Sequence, residues 1–437
     1  MQNQGIRDAR SLGTPKLLVL GLQHMFAMFG ATVLVPALTG LSVSATLLFA
    51  GLGTLFFHFV TKGKVPAFLG SSFAYLAGYA AIAPNGEAAL LPYACVGVAA
   101  SGLLYLILAA LVRGFGANRV MRFFPPVVNG QIIICIGMTL ANSAINNCTG
   151  SWDIALVAIL TVVIFNIWGK GMLRIIPILL GVLVSYVYAA VTGRVDFSGV
   201  ASAAWIGLPV KMENTVFSLI GNCDANLLVT AIIAIMPIAF ATMIEHIGDI
   251  CAISSTVGAN FIADPGLHRT LLGDGLATSI ASLFGAPANT TYGENTGVLA
   301  LTRVYDPLVI RLAAVYAIIA SFCPKFAATG TIGGLSLILY GMISAIGVRN
   351  LVENRVDLAK SRNVIVVSLI ISLALGITFS AAGAITFHVG EFTLNFSGLA
   401  VAAIVGIVVN AILPGKDYNF QNDYEYGKTT EDHGQML

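Results

Sequence analysis

The sequence predicts an all-α polytopic membrane protein that crosses the bilayer fourteen times. Three observations carry that reading. Only 10% of the 437 residues are charged and 57% are hydrophobic, against about a quarter charged in a typical soluble domain. Apolar runs of about 20 residues, the length that spans hydrocarbon, recur along the whole chain. Laid out in alternation, these runs also place nearly all the basic residues on one side of the membrane.

The apolar passages read as 17–38, 43–60, 65–83, 89–112, 124–146, 152–169, 172–192, 226–253, 268–285, 289–303, 305–324, 329–348, 362–383 and 392–414. The third and tenth are interrupted by polar residues and glycine. The stretch ahead of them, "MQNQGIRDARSLGTPK", has neither an apolar core nor a small-residue cleavage site, so no signal peptide is expected. Residues 415–437 are polar, and their composition predicts disorder. With the N-terminus in the cytoplasm, 19 of the 22 Lys and Arg fall inside; Arg194, Lys211 and Lys325 fall outside. A miscount of one passage would scramble this bias. The six cysteines are scattered without a CxxC pair, which signals neither a disulfide framework nor a zinc site.

An outside loop near 193–225 divides the passages into two sets of seven. "GSSFAY" (Gly70–Tyr75) matches "NTTYGE" (Asn289–Glu294) at an offset of 219, and "LQHMF" (Leu22–Phe26) faces "IEHIG" (Ile244–Gly248) at an offset of 222. Seven is odd, so duplicated halves insert with opposite orientation. Inverted repeats of this kind mark secondary transporters, and interrupted helices in matching positions point to the binding site.

Acids within or beside apolar passages are Glu245, Asp249, Asp274 and Glu294. An intramembrane acid is costly and is a functional candidate by default. Glu245 and Asp249 are four apart and share a helix face, while His246 points elsewhere. Asp274 reads as a carboxylate favouring the start of its helix. Non-helical backbone at membrane depth is tolerated only where it is buried in protein or lines a cavity. The amides of Phe73 and Gly293 are therefore candidate donors to a ligand carbonyl. Glu245 and Glu294 are candidate acceptors from ligand N–H groups, with Phe73 and Tyr292 as aromatic contacts. A planar, neutral ring with alternating C=O and N–H groups fits that set. A buried carboxylate also suits proton carriage, so the expected activity is symport with protons as the coupling ion and no cofactor. Enzyme chemistry finds no support: "EHIGD" lacks the HExxH order, and there is neither a Walker loop nor a GxSxG. A passive channel is the rival from another class, and it needs no paired-carboxylate site.

These stretches resemble the nucleobase–ascorbate transporter family (nucleobase:cation symporter-2), most nearly its bacterial uracil permeases. "LQHMFAMFGATVLVP" (Leu22–Pro36), "GKVPAFLGSSFAY" (Gly63–Tyr75), "EHIGD", "DPGLHRTLLGDGLAT" (Asp264–Thr278) and "NTTYGENTGVLALTR" (Asn289–Arg303) carry the resemblance, which covers residues 16–414. It implies two inverted seven-segment repeats with short antiparallel strands in segments 3 and 10. It implies a cytoplasmic N-terminus (1–16), a core domain from 17–112 and 226–324, a gate domain from 124–192 and 329–414, the outside loop 193–225 and a cytoplasmic tail (415–437). Glu245, Glu294, Phe73, Gly293 and Tyr292 match substrate-binding positions. Ala31 matches a first-helix contact and Tyr340 a gate-side contact. Proton coupling is implied at Glu245 and Asp249. Members work as proton symporters of the bacterial inner membrane, some as dimers, so a homodimer is among the expected assemblies. Two departures stand out. Uracil permeases generally have His where this chain has Asp249, a feature of purine members, which keeps a xanthine or broad uracil/purine symporter as the alternative. "KFAATGTIGG" (Lys325–Gly334) is shorter than the family's connection into segment 12 and lacks its Ile-Pro-x-Pro.

Overall fold

The computed structural model describes residues 5–170, 173, 177–194, 203–221, 223–327, 347–348, 351–352, 355–389 and 392–415. Helix α1 (Thr14–Thr39) carries Pro15 in its first turn, where the missing N–H costs nothing, and stops at Gly40 in the left-handed region. Helix α2 (Val43–Val60) is capped by Ser42, whose hydroxyl accepts from the Ala45 amide. The third passage does not continue as a helix. It forms a strand, β1 (Leu69–Ser71), followed by a short helix, α3 (Leu76–Ile82). Helices α4 (Leu91–Phe115), α5 (Pro126–Cys148), α6 (Trp152–Ile167) and α7 (Pro177–Val191) follow.

The second half opens with α8 (Ala225–Ile235), capped by Asp224, and α9 (Ala239–Val257), joined through a 3-10 turn containing Pro237. Next come α10 (Leu267–Leu283), strand β2 (Asn289–Thr291), half-helix α11 (Gly293–Thr302) and α12 (Pro307–Ser321). Among the described residues, six helices are long and apolar enough to cross a membrane, with α8 and α9 taken as one. All but the last two residues of the expected passage 329–348, with Tyr340 and most of the shortened connection, lie outside the described residues, as does the tail from 416.

Two expectations are corrected. Passages 362–383 and 392–414 are not helical throughout. Helix α13 (Ser361–Thr378) stops short, and strands β3 (Ala384–Val389) and β4 (Phe392–Ser397) form an antiparallel hairpin before α14 (Gly398–Ile412). Alternating β-branched and aromatic residues such as Ile385, Thr386, Phe387 and Phe396 favour the pleat. Asp274 does not sit at a helix start: α10 begins at Leu267, so Asp274 lies about two turns in.

α10 packs against α2 and α4, α12 against α1 and α2, and α13 against α5 and α14. The outer face is apolar: Leu103, Ile107 and Leu111, at four-residue spacing, form an exposed row on α4 suited to lipid. The polar N-terminus is folded onto the bundle. Ile6 bridges Val304, Ala9 N–H donates to Asp306 Oδ2 at 2.8 Å, and an Arg7 Nη donates to Val257 O at 3.0 Å. Nearby, Arg269 donates to Val60 O, Arg311 to Gly63 O, and Lys64 pairs with Asp264. Basic residues that the sequence assigns to one side thus gather at one end of the bundle.

Candidate substrate-binding site

The two broken passages meet. β1 and β2 pair antiparallel with Leu69 opposite Thr291, Gly70 opposite Thr290 and Ser71 opposite Asn289. Two further bonds extend the ladder, Ser72 N–H to Ala288 O at 2.8 Å and Tyr292 N–H to Phe68 O at 3.0 Å. These two bonds exchange under a shift of 220 residues, and Gly70–Thr290 is its own mate. The same shift pairs Phe73 with Gly293. The backbone register therefore sets the offset at 220, where side-chain types alone suggest 219.

The crossing is held from all sides. Thr54 of α2 accepts from the Leu69 backbone N–H at its Oγ1, at 2.9 Å. Thr278 of α10 donates to Asn289 O at 2.8 Å, and Asn289 Nδ2 donates to Phe49 O at 3.1 Å. Tyr292 is buried with its hydroxyl donating to Ser71 O at 2.9 Å on the opposite strand. Its ring lies over Gly70, where a Cβ would collide with it, so the close approach requires glycine there.

Two long helices each touch both broken passages. From α1, the Thr32 carbonyl accepts from Ser71 Oγ at 2.7 Å, and the His24 carbonyl accepts from Asn295 Nδ2 at 3.1 Å. Ala31 is buried beside Thr32. From α9, Thr242 Oγ1 lies 3.3 Å from Tyr75 Oη, and Asp249 Oδ2 accepts from Thr291 Oγ1 at 2.9 Å. Glu245 is half-buried between these anchors, one turn from Asp249 on the same face.

The backbone favours an anionic or acceptor group at the crossing. α3 and α11 begin just beyond β1 and β2, so their amino ends flank the crossing. The first amides of a helix have no intrahelical acceptor, and the helix dipole is positive there. Gly293 opens α11 with Glu294 as its second residue; the Glu294 side chain lies outside the described part. Phe73 is buried between β1 and α3. The structure thus gathers Phe73, Tyr292, Gly293, Ala31, Glu245 and Asp249 around one crossing, while Tyr340 lies outside the described residues. Among the described residues there is no cluster of three or more His, Cys, Asp or Glu that would hold a metal.

Sequence reasoning gave no role to Thr242, Thr291 or Asn295. Thr291 and Asn295 lie inside the quoted NTTYGEN stretch, but their partners sit 42 and 271 residues away.

A family model described as "Permease family" (Xan_ur_permease) matches residues 15–383. The chain belongs to this permease family. The permease is 41% identical to the uracil permease of Bacillus caldolyticus, with 96% of each chain covered. It is 37% identical to the uracil permease of Escherichia coli (strain K12), with 90% of each covered. Its fold is similar to the transmembrane domain of the cyanobacterium bicarbonate transporter BicA, with a TM-score of 0.62 at 14% identity, covering 93% of this chain and 98% of that one. SLC26A9 gives a TM-score of 0.61 at 12% identity, covering 92% and 66%. At such identities the likeness is one of fold. The permease is a multi-pass membrane transporter and not an enzyme.

Proposed function

We propose that this permease imports uracil by proton symport across a bacterial inner membrane, with both termini cytoplasmic. The observation that carries the reading is the antiparallel crossing of β1 and β2, flanked by two helix amino ends and by the Glu245–Asp249 face of α9. Uracil is neutral and planar, with carbonyls that suit the Phe73 and Gly293 amides and N–H groups that suit Glu245 and Glu294. The uracil permeases among its relatives support this substrate.

The fourteen segments form two inverted repeats, in line with the 220-residue shift of the crossing. Segments 1–4 and 8–11 make a core domain that carries the site. Segments 5–7 and 12–14, with Tyr340, make a gate domain. Transport follows from alternating access as one moves against the other, and protonation of Glu245 or Asp249 couples it to the proton gradient. No further cofactor is required, and the proposed working unit is a homodimer.

The test is uptake of labelled uracil in cells lacking their own permeases. Excess unlabelled uracil is expected to compete and xanthine to compete poorly, and Glu245→Ala is expected to abolish uptake. Undiminished uptake in Glu245→Ala overturns the site. Strong competition by xanthine moves the reading to a broad uracil/purine symporter, which the carboxylate Asp249 bonded to Thr291 favours as the second reading.

A further inference from the structure

The motif "LLGDGLAT" (Leu271–Thr278) has a role apart from the crossing. Asp274 of α10 and His246 of α9 are both 0% exposed, and Oδ2 lies 3.2 Å from Nδ1. The contact is at ion-pair distance without hydrogen-bond alignment, and no other polar group among the described residues bonds either side chain. A lone buried carboxylate is costly, so the imidazole is its compensating partner.

The surroundings seal the pair. Phe57 of α2 and Tyr105 of α4 stand edge-on to the imidazole, with ring centroids at 6.3 and 6.4 Å. The two glycines beside Asp274 permit this. A Cβ on Gly273 would come within 2.9 Å of the Phe57 ring, and one on Gly275 would collide with Tyr105. Four helices therefore close over one acid and one histidine. The titratable groups facing the pair are Tyr105 from α4, Tyr75 from the segment between β1 and α3 and, along α9, Glu245.

Helix geometry links the pair to the site. At roughly 100° per residue, Glu245 and Asp249 lie within about 40° of each other, with His246 about 100° from Glu245 and about 60° from Asp249. Seating His246 against Asp274 thus fixes the rotation of α9 that turns Glu245 and Asp249 toward the crossing. Any rotation that released His246 would swing both acids away.

We propose that His246 and Asp274 are a positioning pair that sets the facing of Glu245 for substrate. The proposal rests on the uracil reading above. It is tested by uracil uptake kinetics in permease-deficient cells, with membrane abundance measured for each variant. Asp274→Asn and His246→Gln are expected to raise KM roughly ten- to a hundredfold with the pH optimum unmoved, because small misplacements near a site cost that much. The swapped double variant His246→Asp/Asp274→His is expected to recover most of the loss. If Asp274→Asn fails to reach the membrane, His246→Gln and the swap carry the same comparison. Wild-type KM in the single variants, a swap no better than either single, or a moved pH optimum overturns the proposal; the last makes the pair a proton carrier. Wild-type protein that takes up no uracil counts against the substrate reading instead.

Discussion

Thr291 donates its hydroxyl to Asp249 across the crossing at 2.9 Å. This bond joins the strand of one broken passage to the face of α9 that carries Glu245. Asp249 is only 8% exposed, so removing the Thr291 donor takes one hydrogen bond from a buried charged acceptor. Thr291→Val is expected to weaken uracil transport by roughly 1–3 kcal/mol in kcat/KM. Uptake at wild-type efficiency contradicts this.

Asp249 itself separates binding from coupling. Asp249→Asn keeps an oxygen for Thr291 and removes the charge. Equilibrium binding of uracil to purified protein is expected to stay within a few-fold of wild type, with pH-dependent accumulation lost. Normal accumulation in this variant assigns the coupled proton to Glu245 alone.

The hydroxyl of Tyr292 is bonded to Ser71 O, and its ring packs on Gly70. Tyr292→Phe removes the buried bond to Ser71 O and the longer one shared with Ser71 Oγ, with an expected stability loss of about 1 kcal/mol. Gly70→Ala forces the ring or the strands apart and is expected to lower both melting temperature and uptake well beyond Tyr292→Phe. Equal effects from the two variants argue against the close packing described.

At the basic end of the bundle, Lys64 donates to Asp264 and holds its carboxyl below the usual carboxylate range. A folded-state value that is depressed gives stability above the ordinary carboxylate value of about 4, lost as pH falls through the folded value. Both groups are exposed, so the effect is small and salt-sensitive. Melting scans of Lys64→Met are expected to show a weaker acid-side decline than wild type, with the difference vanishing in high salt. An identical acid limb contradicts the pairing.

Much of the scaffold was legible because spanning lipid demands long apolar runs, and an interruption at membrane depth demands a reason. The interruptions around Gly70 and Gly293 follow from that logic, while the strands Leu69–Ser71 and Asn289–Thr291 within them were implied only by the family resemblance. The hairpin Ala384–Ser397 escaped because a short apolar stretch carries no length signal to tell strand from helix. The partnership of His246 with Asp274 escaped because it depends on how α9 and α10 are rotated against each other. Sequence spacing within one helix fixes which residues share a face, and it does not say what that face meets. The latch of Ile6 and Ala9 onto Val304 and Asp306 was hidden for the same reason.

The central claim is that uracil moves with protons through the Glu245 face of α9. Its most direct test is purified permease in proteoliposomes, loaded at neutral pH and diluted into acidic buffer with labelled uracil. The account requires uracil to accumulate inside above its external concentration, to drain on adding a protonophore, and to do neither in Glu245→Ala. Equilibration without accumulation, insensitive to the pH gradient, would contradict it and describe a passive pore.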